Sequence, residues 1–168
     1  MLKIYLMQLN RIQIVVKVYM KIVKTDIFKY PCDAVCITTN GEIKKNGRAV
    51  MGAGVARSFR DKIKDIDLVF SYSLKQHGNV CRIFHKIGKV NIIAFPTKTL
   101  WQGHSDINLI RKSAKELNQI IIDNNLNTVL LPKPGCSNGG LIWNDVAKVL
   151  DEELHEHFEN NRVIIVYE

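Results

Sequence analysis

Two glycine-rich stretches and one lysine are the residues of this chain whose types and spacing suit chemistry. The first stretch, Leu131 to Trp143, reads LPKPGCSNGGLIW and sets Gly135, Gly139 and Gly140 between an apolar run and a helical pattern. An ordinary turn needs one glycine at most, and each further one costs roughly 0.5–1 kcal/mol of ordering entropy. The stretch therefore needs positive φ angles or room beside its backbone. The second, AVMGAGVARSF, sets Gly52 and Gly54 just before a helical pattern beginning near Val55. Both are strand–glycine loop–helix units, and open α/β sheets bind ligands at the carboxyl ends of their strands. A helix start offers unpaired N–H groups and a positive dipole end, worth about 0.3–1 kcal/mol to an anion. Two such loops facing one crevice suit a diphosphate. Taken singly, MGAG reads equally as close helix–strand packing and GCSNGG as a long turn. Neither stretch follows GxGxxG with a trailing acid or GxxxxGK[ST], so the common dinucleotide and P-loop motifs are not supported. The lysine, Lys98, follows an apolar run in NIIAFPTKTLW.

Strands and helices must position these residues. Apolar, β-branched runs occupy 12–18, 20–24, 33–39, 80–85, 90–95, 127–131 and 162–167. Several, such as NTVLL and RVIIVY, are nearly continuous, as strands covered on both faces require. Helical patterns alternate with them: VARSFRDKI from Val55, DLVFSYSLKQHG ending at Gly78, the segment after Ser105, and WNDVAKVLDEELHEHF. In the third, Ser105 is the expected N-cap, and Ile107, Ile110, Ala114, Leu117 and Ile121 form one stripe. The last carries Val146, Val149, Leu150 and Leu154. This alternation predicts a layered α/β domain with a largely parallel sheet.

At 168 residues the chain is expected to form one domain with a proper hydrophobic core. Its net charge of +8 favours an anionic partner, either a phosphate-bearing ligand or nucleic acid, with solvated surface lysine as the alternative. Cys32, Cys36, Cys81 and Cys136 lack paired metal-ligand spacing and read as reduced thiols of a cytoplasmic protein. No apolar run reaches the roughly 18 residues of a membrane span, so no membrane partner is expected. Nor is a metal or a cofactor. The opening MLKIYLMQLNRIQIVVKVYM is interrupted by Lys3, Asn10, Arg11 and Lys17 and lacks a small-residue cleavage site. Residues 1–19 therefore read as an extension, an extra edge strand or a hairpin, ahead of a domain spanning 20–168.

KTDIF, DAVCITTN, MGAGVARSF, NIIAFPTKTLW and LPKPGCSNGGLIWNDV, in that order and spacing, resemble a macrodomain, the α/β/α module that binds ADP-ribose. The likeness runs from Met20 to Glu168. FPTKxxW followed by PGCxxGGLxW is similar to the macrodomains of the DarG antitoxins, which remove ADP-ribose from DNA bases, and more distantly to the terminal ADP-ribose protein glycohydrolase. The resemblance implies a three-layer α/β/α fold around a central mixed, largely parallel sheet. It implies that Asp26 accepts from the adenine amino group, with Ile27 beside the base. Asn40 would bond the distal ribose. Gly52, Ala53 and Gly54, flanked by Val55, would wrap that ribose and a phosphate. Gly135, Cys136, Ser137, Asn138, Gly139 and Gly140, flanked by Leu141, would offer amides to the diphosphate. Lys98 would be the catalytic group, attacking the anomeric carbon of the distal ribose or stabilising the departing group.

The implied activity is that of a monomeric mono-ADP-ribosyl glycohydrolase acting on ADP-ribosylated DNA or protein. Its alternatives are a non-catalytic ADP-ribose reader and an ADP-ribose 1″-phosphate phosphatase. The pattern departs from the family at Thr25, at Ile37 and at Ser137. Gly139 stands where the protein glycohydrolase has a catalytic aspartate, which speaks against a two-residue Lys/Asp mechanism. Trp101 and Trp143 are expected to pack beneath the loops, with a place near an extruded base as the alternative for Trp101. His104 falls in a surface loop, while His155 and His157 fall on a solvated helical face with acidic neighbours. EIKKNGR, residues 42–48, is a basic loop that either meets nucleic-acid phosphate or is simply solvated.

Overall fold

A computed structural model describes residues 3–9, 12–18 and 20–167, the first two segments as backbone. In these, β1 (Lys3–Leu9) and β2 (Ile12–Val18) pair antiparallel as a two-stranded sheet of their own. The rest of the expectation for residues 1–19 lies outside the described residues.

The main sheet comprises β3 (Lys21–Lys24), β4 (Ala34–Thr39), β5 (Arg82–Ile87), β6 (Val90–Pro96), β7 (Val129–Pro132) and β8 (Val163–Tyr167), in the order β3-β8-β7-β4-β6-β5. Every neighbouring pair is parallel except β5 with β6, which form a hairpin. Successive side chains of a strand face opposite ways, and here each way meets helices. Ala34, Cys36, Ile93, Phe95, Leu131 and Ile165 pack with α3 (Ile107–Asp123) and α4 (Trp143–Glu159). Val35, Ile37, Ile92, Ala94, Leu130 and Ile164 pack with α1 (Gly54–Lys62) and α2 (Ile66–His77). The nearly continuous apolar runs are thus strands buried on both faces, and the molecule is a three-layer α/β/α sandwich.

Each strand run and helical pattern read from the described sequence corresponds to an element, within a few residues at its ends. Two local readings are corrected. The N-cap of α3 is Asp106, whose carboxylate accepts from the Asn108 N–H at 2.8 Å. Ser105 falls one residue ahead of the cap position, and its side chain is buried against Gly139. His157 is only 5% exposed, its Nε2 lying 2.8 Å from Asn118 Oδ1, and burial lowers its pKa. It is not on a solvated face. His155 is, paired with Asp151 and Glu159, whose charges raise its pKa.

The loop after β4 is fixed before it reaches α1. Ile43 and Ala49 form an isolated antiparallel bridge, and Arg48 clamps the loop to α2 through Asp65 and Asp67, each at 2.7 Å. Arg48 is therefore a structural tie and not a free cation of the basic loop.

Candidate active site

The loops following β7, β4 and β6 leave three adjacent strands of the sheet at their carboxyl ends. Between them lies a cleft of about 1030 Å³ that runs from the ends of β3 and β8 to the ends of β4 and β6. Thr25, Ile27, Val166 and Tyr167 line one end; Asn40, Lys44, Lys98 and Trp101 line the other.

The two glycine loops face each other across it. A Cβ built on Gly54 would lie 3.6 Å from Asn138 Nδ2. Lys98 joins them, its Nζ donating to the Asn138 carbonyl at 2.8 Å. The N-cap of α1, Ala53, makes no side-chain cap and no acidic residue sits in the first turn. The first N–H groups of that helix therefore lie at the cleft without a partner among the described residues. In the second loop, no described residue accepts from the N–H groups of Cys136, Ser137, Asn138 or Gly139. Consecutive free amides of this kind form an anion-binding concavity.

The lining reinforces that preference. Lys44, Arg57, Lys98 and Lys133 contribute cations, and among the described residues no Asp or Glu lines the cleft. Lys133 holds its ammonium over the rings of Tyr167 and Trp143, 4.6 Å and 5.3 Å from their centroids. Burial pushes the Cys136 thiol up, so it stays protonated and is no nucleophile at neutral pH. Two buried hydroxyls, Thr39 Oγ1 and Ser105 Oγ, line the cleft without a hydrogen-bond partner among the described residues. They can serve a polar ligand.

Of the residues singled out in the sequence, Ile27, Asn40, Gly52, Ala53, Gly54, Val55 and Lys98 line this cleft, as do Gly135, Cys136, Ser137, Asn138 and Gly139. Asp26, Gly140 and Leu141 are not among its lining residues. Asp26 sits between two that are; the Phe28 N–H, 2.9 Å from its carboxylate, holds its pKa below the usual range. The Gly140 and Leu141 amides are used inside the loop, donating to the Ser137 and Gly135 carbonyls, so they are not offered outward. Asn40 is also partly engaged. Its side chain donates to the Val50 carbonyl and accepts from the Glu42 N–H, both at 3.0 Å, which shapes the lip of the cleft.

Two glycines are needed for a reason other than bare backbone. A Cβ on Gly139 would come 2.1 Å from Ser105 Oγ and 2.5 Å from the Gly135 carbonyl; one on Gly135 would come 2.9 Å from Ser105 Cβ and Ile110 Cδ1. Both glycines let the loop close onto the start of α3. Gly52 has open space on its Cβ side, so the room for a ligand is there. Gly139→Ala should accordingly lower stability by about 1–3 kcal/mol through overpacking. Gly52→Ala should change it by less than about 0.5 kcal/mol, both read from urea unfolding.

Trp101 corrects another expectation: it is 52% exposed at the mouth of the cleft, whereas Trp143 packs against the core. Sequence reasoning did not single out Thr39, Lys44, Arg57, Lys133 or Tyr167 as cleft residues. Thr39, Lys44, Arg57 and Lys133 lie inside the quoted DAVCITTN, EIKKNGR, MGAGVARSF and LPKPG, and those stretches carried the signal that could have found them.

No family model matches the chain. A DNA ADP-ribosyl glycohydrolase of Mycobacterium tuberculosis is 30% identical over 107 residues, covering 60% of this chain and 30% of that protein. One from Thermus aquaticus is 27% identical over 141 residues, 80% of this chain and 38% of that protein. The chain thus spans about a third of the length of these curated relatives. Among solved structures, the macrodomain of M. tuberculosis DarG superposes with a TM-score of 0.74 at 23% identity, covering 89% of this chain and 97% of that one. The T. aquaticus DarG macrodomain gives 0.72 at 26% identity with the same coverage. Thermosipho africanus DarTG in complex with ADP-ribose gives 0.72 at 18% identity, covering 96% of this chain and 43% of that one. The chain has the macrodomain fold, and in sequence it is similar to the DarG proteins.

Proposed function

We propose that this domain binds ADP-ribose in the cleft and acts as a mono-ADP-ribosyl glycohydrolase on modified DNA, with Lys98 as the catalytic group. One observation carries the reading. Lys98 Nζ reaches the carbonyl of Asn138 at 2.8 Å, at the point where Asn138 also approaches Gly54. An amine is thus held where two anion-seeking loops meet. A diphosphate lying between the loops would leave its distal ribose beside that amine. The glycosidic bond from the anomeric carbon to the base nitrogen then breaks, water supplies the hydroxyl to that carbon, and the base leaves with a proton. Lys98 assists by attacking the anomeric carbon or by stabilising the departing group.

The single-residue mechanism is supported by Gly139, where a side chain would collide with Ser105 and the Gly135 carbonyl. A second catalytic acid has no room at that position. The relatives named DNA ADP-ribosyl glycohydrolase, the ADP-ribose bound by the Thermosipho protein and the net charge of +8 all favour an ADP-ribosylated nucleic acid as substrate.

The test offers ADP-ribosylated single-stranded DNA, ADP-ribosylated protein and ADP-ribose 1″-phosphate side by side. ADP-ribose should be released from the DNA and no phosphate from the third substrate. Binding of ADP-ribose without release from any substrate would make the domain a reader, and release of phosphate would make it a phosphatase.

A further inference from the structure

Trp101 is the feature of the cleft that the diphosphate chemistry leaves unused. It is 52% exposed and its neighbour Leu100 59%, so the loop after β6 presents two large apolar side chains to solvent, Trp101 at the lining of the cleft. An exposed tryptophan alone needs no explanation. This one is held in place. The Trp101 N–H donates to the Glu42 carboxylate at 2.5 Å, the Gly41 N–H to the Thr99 carbonyl at 3.0 Å, and Asn79 Nδ2 to the Lys98 carbonyl at 2.9 Å. The lip that carries Trp101 is thereby stitched to the lip that carries Asn40 and Lys44, and the ring is presented from a fixed backbone.

Its position along the cleft is equally specific. From β8, which carries Tyr167, to β6 the sheet order runs through β7 and β4, three inter-strand steps or about 14 Å. Tyr167, 42% exposed, lines the cleft at the β8 end, and Trp101 lies beyond the end of β6 on the far side of Lys98. A ligand filling the cleft therefore meets an aromatic ring at each end, with cations and free amides between. That arrangement fits a molecule with a flat heterocycle at both ends and a diphosphate in the middle.

We infer that Trp101 is the stacking platform for the departing nucleobase, and so the residue that selects ADP-ribose carried on an exposed base over ADP-ribose carried on a protein side chain. The inference rests on the ADP-ribose reading above. The base outside a duplex offers a π-face to an aromatic side chain whatever its identity, and Lys44, lining the same cleft, can meet the strand's phosphate. Trp101 here is a specificity residue and takes no part in bond breaking.

Affinities measured in the Lys98→Ala background, where turnover is suppressed, test the inference with three ligands: free ADP-ribose, a single-stranded oligonucleotide carrying ADP-ribose on one base, and a peptide carrying it on a side chain. Adding Trp101→Ala should weaken the oligonucleotide about tenfold or more, leave free ADP-ribose and the peptide within about twofold, and be largely rescued by Trp101→Phe. The unchanged affinity for free ADP-ribose also reports an intact fold. Equal weakening of all three ligands, or of none, would overturn the role of Trp101 while leaving ADP-ribose binding in place. Failure of the protein with native Trp101 to bind free ADP-ribose would overturn the parent reading and this one with it.

Discussion

Replacing Lys98 with alanine should slow release of ADP-ribose from modified DNA by about a hundredfold to ten-thousandfold, the range for loss of a positioned proton-transfer group. The affinity for ADP-ribose should fall by less than about tenfold. The asymmetry follows from the division of labour in the cleft. On the proposed reading, binding would rest on many amides, those opening α1 and those of residues 136–139, and on the cations Lys44, Arg57 and Lys133. Among the described residues, chemistry at the outer sugar has one candidate, because none of their carboxylates lines the cleft and burial raises the pKa of the Cys136 thiol. Lys98→Arg separates the two roles open to the amine. Arginine keeps the charge but is always protonated, so a rate near that of the native protein assigns Lys98 the work of a cation. A rate as low as that of the alanine variant assigns it a role that needs the amine itself, either nucleophilic attack or proton donation to the departing group. Single-turnover release from a labelled oligonucleotide gives both numbers.

The second large effect comes from a position with room to spare. Gly52→Asp should leave the unfolding midpoint near that of the native protein, since nothing lies within 4 Å of a Cβ built there. It should nevertheless weaken ADP-ribose binding roughly a hundredfold. A carboxylate about 5 Å from a phosphate at an effective dielectric constant near 20 costs about 3 kcal/mol before screening by salt. Gly52→Asn, similar in size but uncharged, should cost far less, and calorimetry on the pair isolates the charge. Loss of binding by both variants alike would mean that bulk at Gly52, and not an anion beside it, decides affinity.

Much of this was readable from the sequence, for identifiable reasons. Strands buried on both faces, such as β7 with VLLP and β8 with VIIVY, announce themselves as continuous apolar runs. Gly78 marks the end of α2 because it takes a positive φ of 75°. The two glycine loops were visible as loops because clusters of two or three glycines are rare between a strand and a helix. What failed depended on tertiary contacts. Ser105 has the right type for an N-cap, but its side chain is buried against Gly139 and the cap falls at Asp106. His157 has acidic neighbours in sequence yet points to Asn118 on α3. Trp101 looked like core because tryptophan is usually well buried; only the bonds from its loop to Glu42 and Gly41 show why it stays outside. The glycines of the second loop were expected to bare the backbone. The structure assigns two of them to packing against Ser105 and Ile110, and open space of that kind is found at Gly52.

The central claim is that one diphosphate lies between two loops that approach each other at Gly54 and Asn138. Amide-resolved NMR during titration with ADP-ribose addresses it directly. The account predicts the largest shifts at the backbone amides of residues 52–56 and 135–139, moving together with one dissociation constant. Shifts confined to one of those loops, or centred elsewhere on the surface, would contradict it.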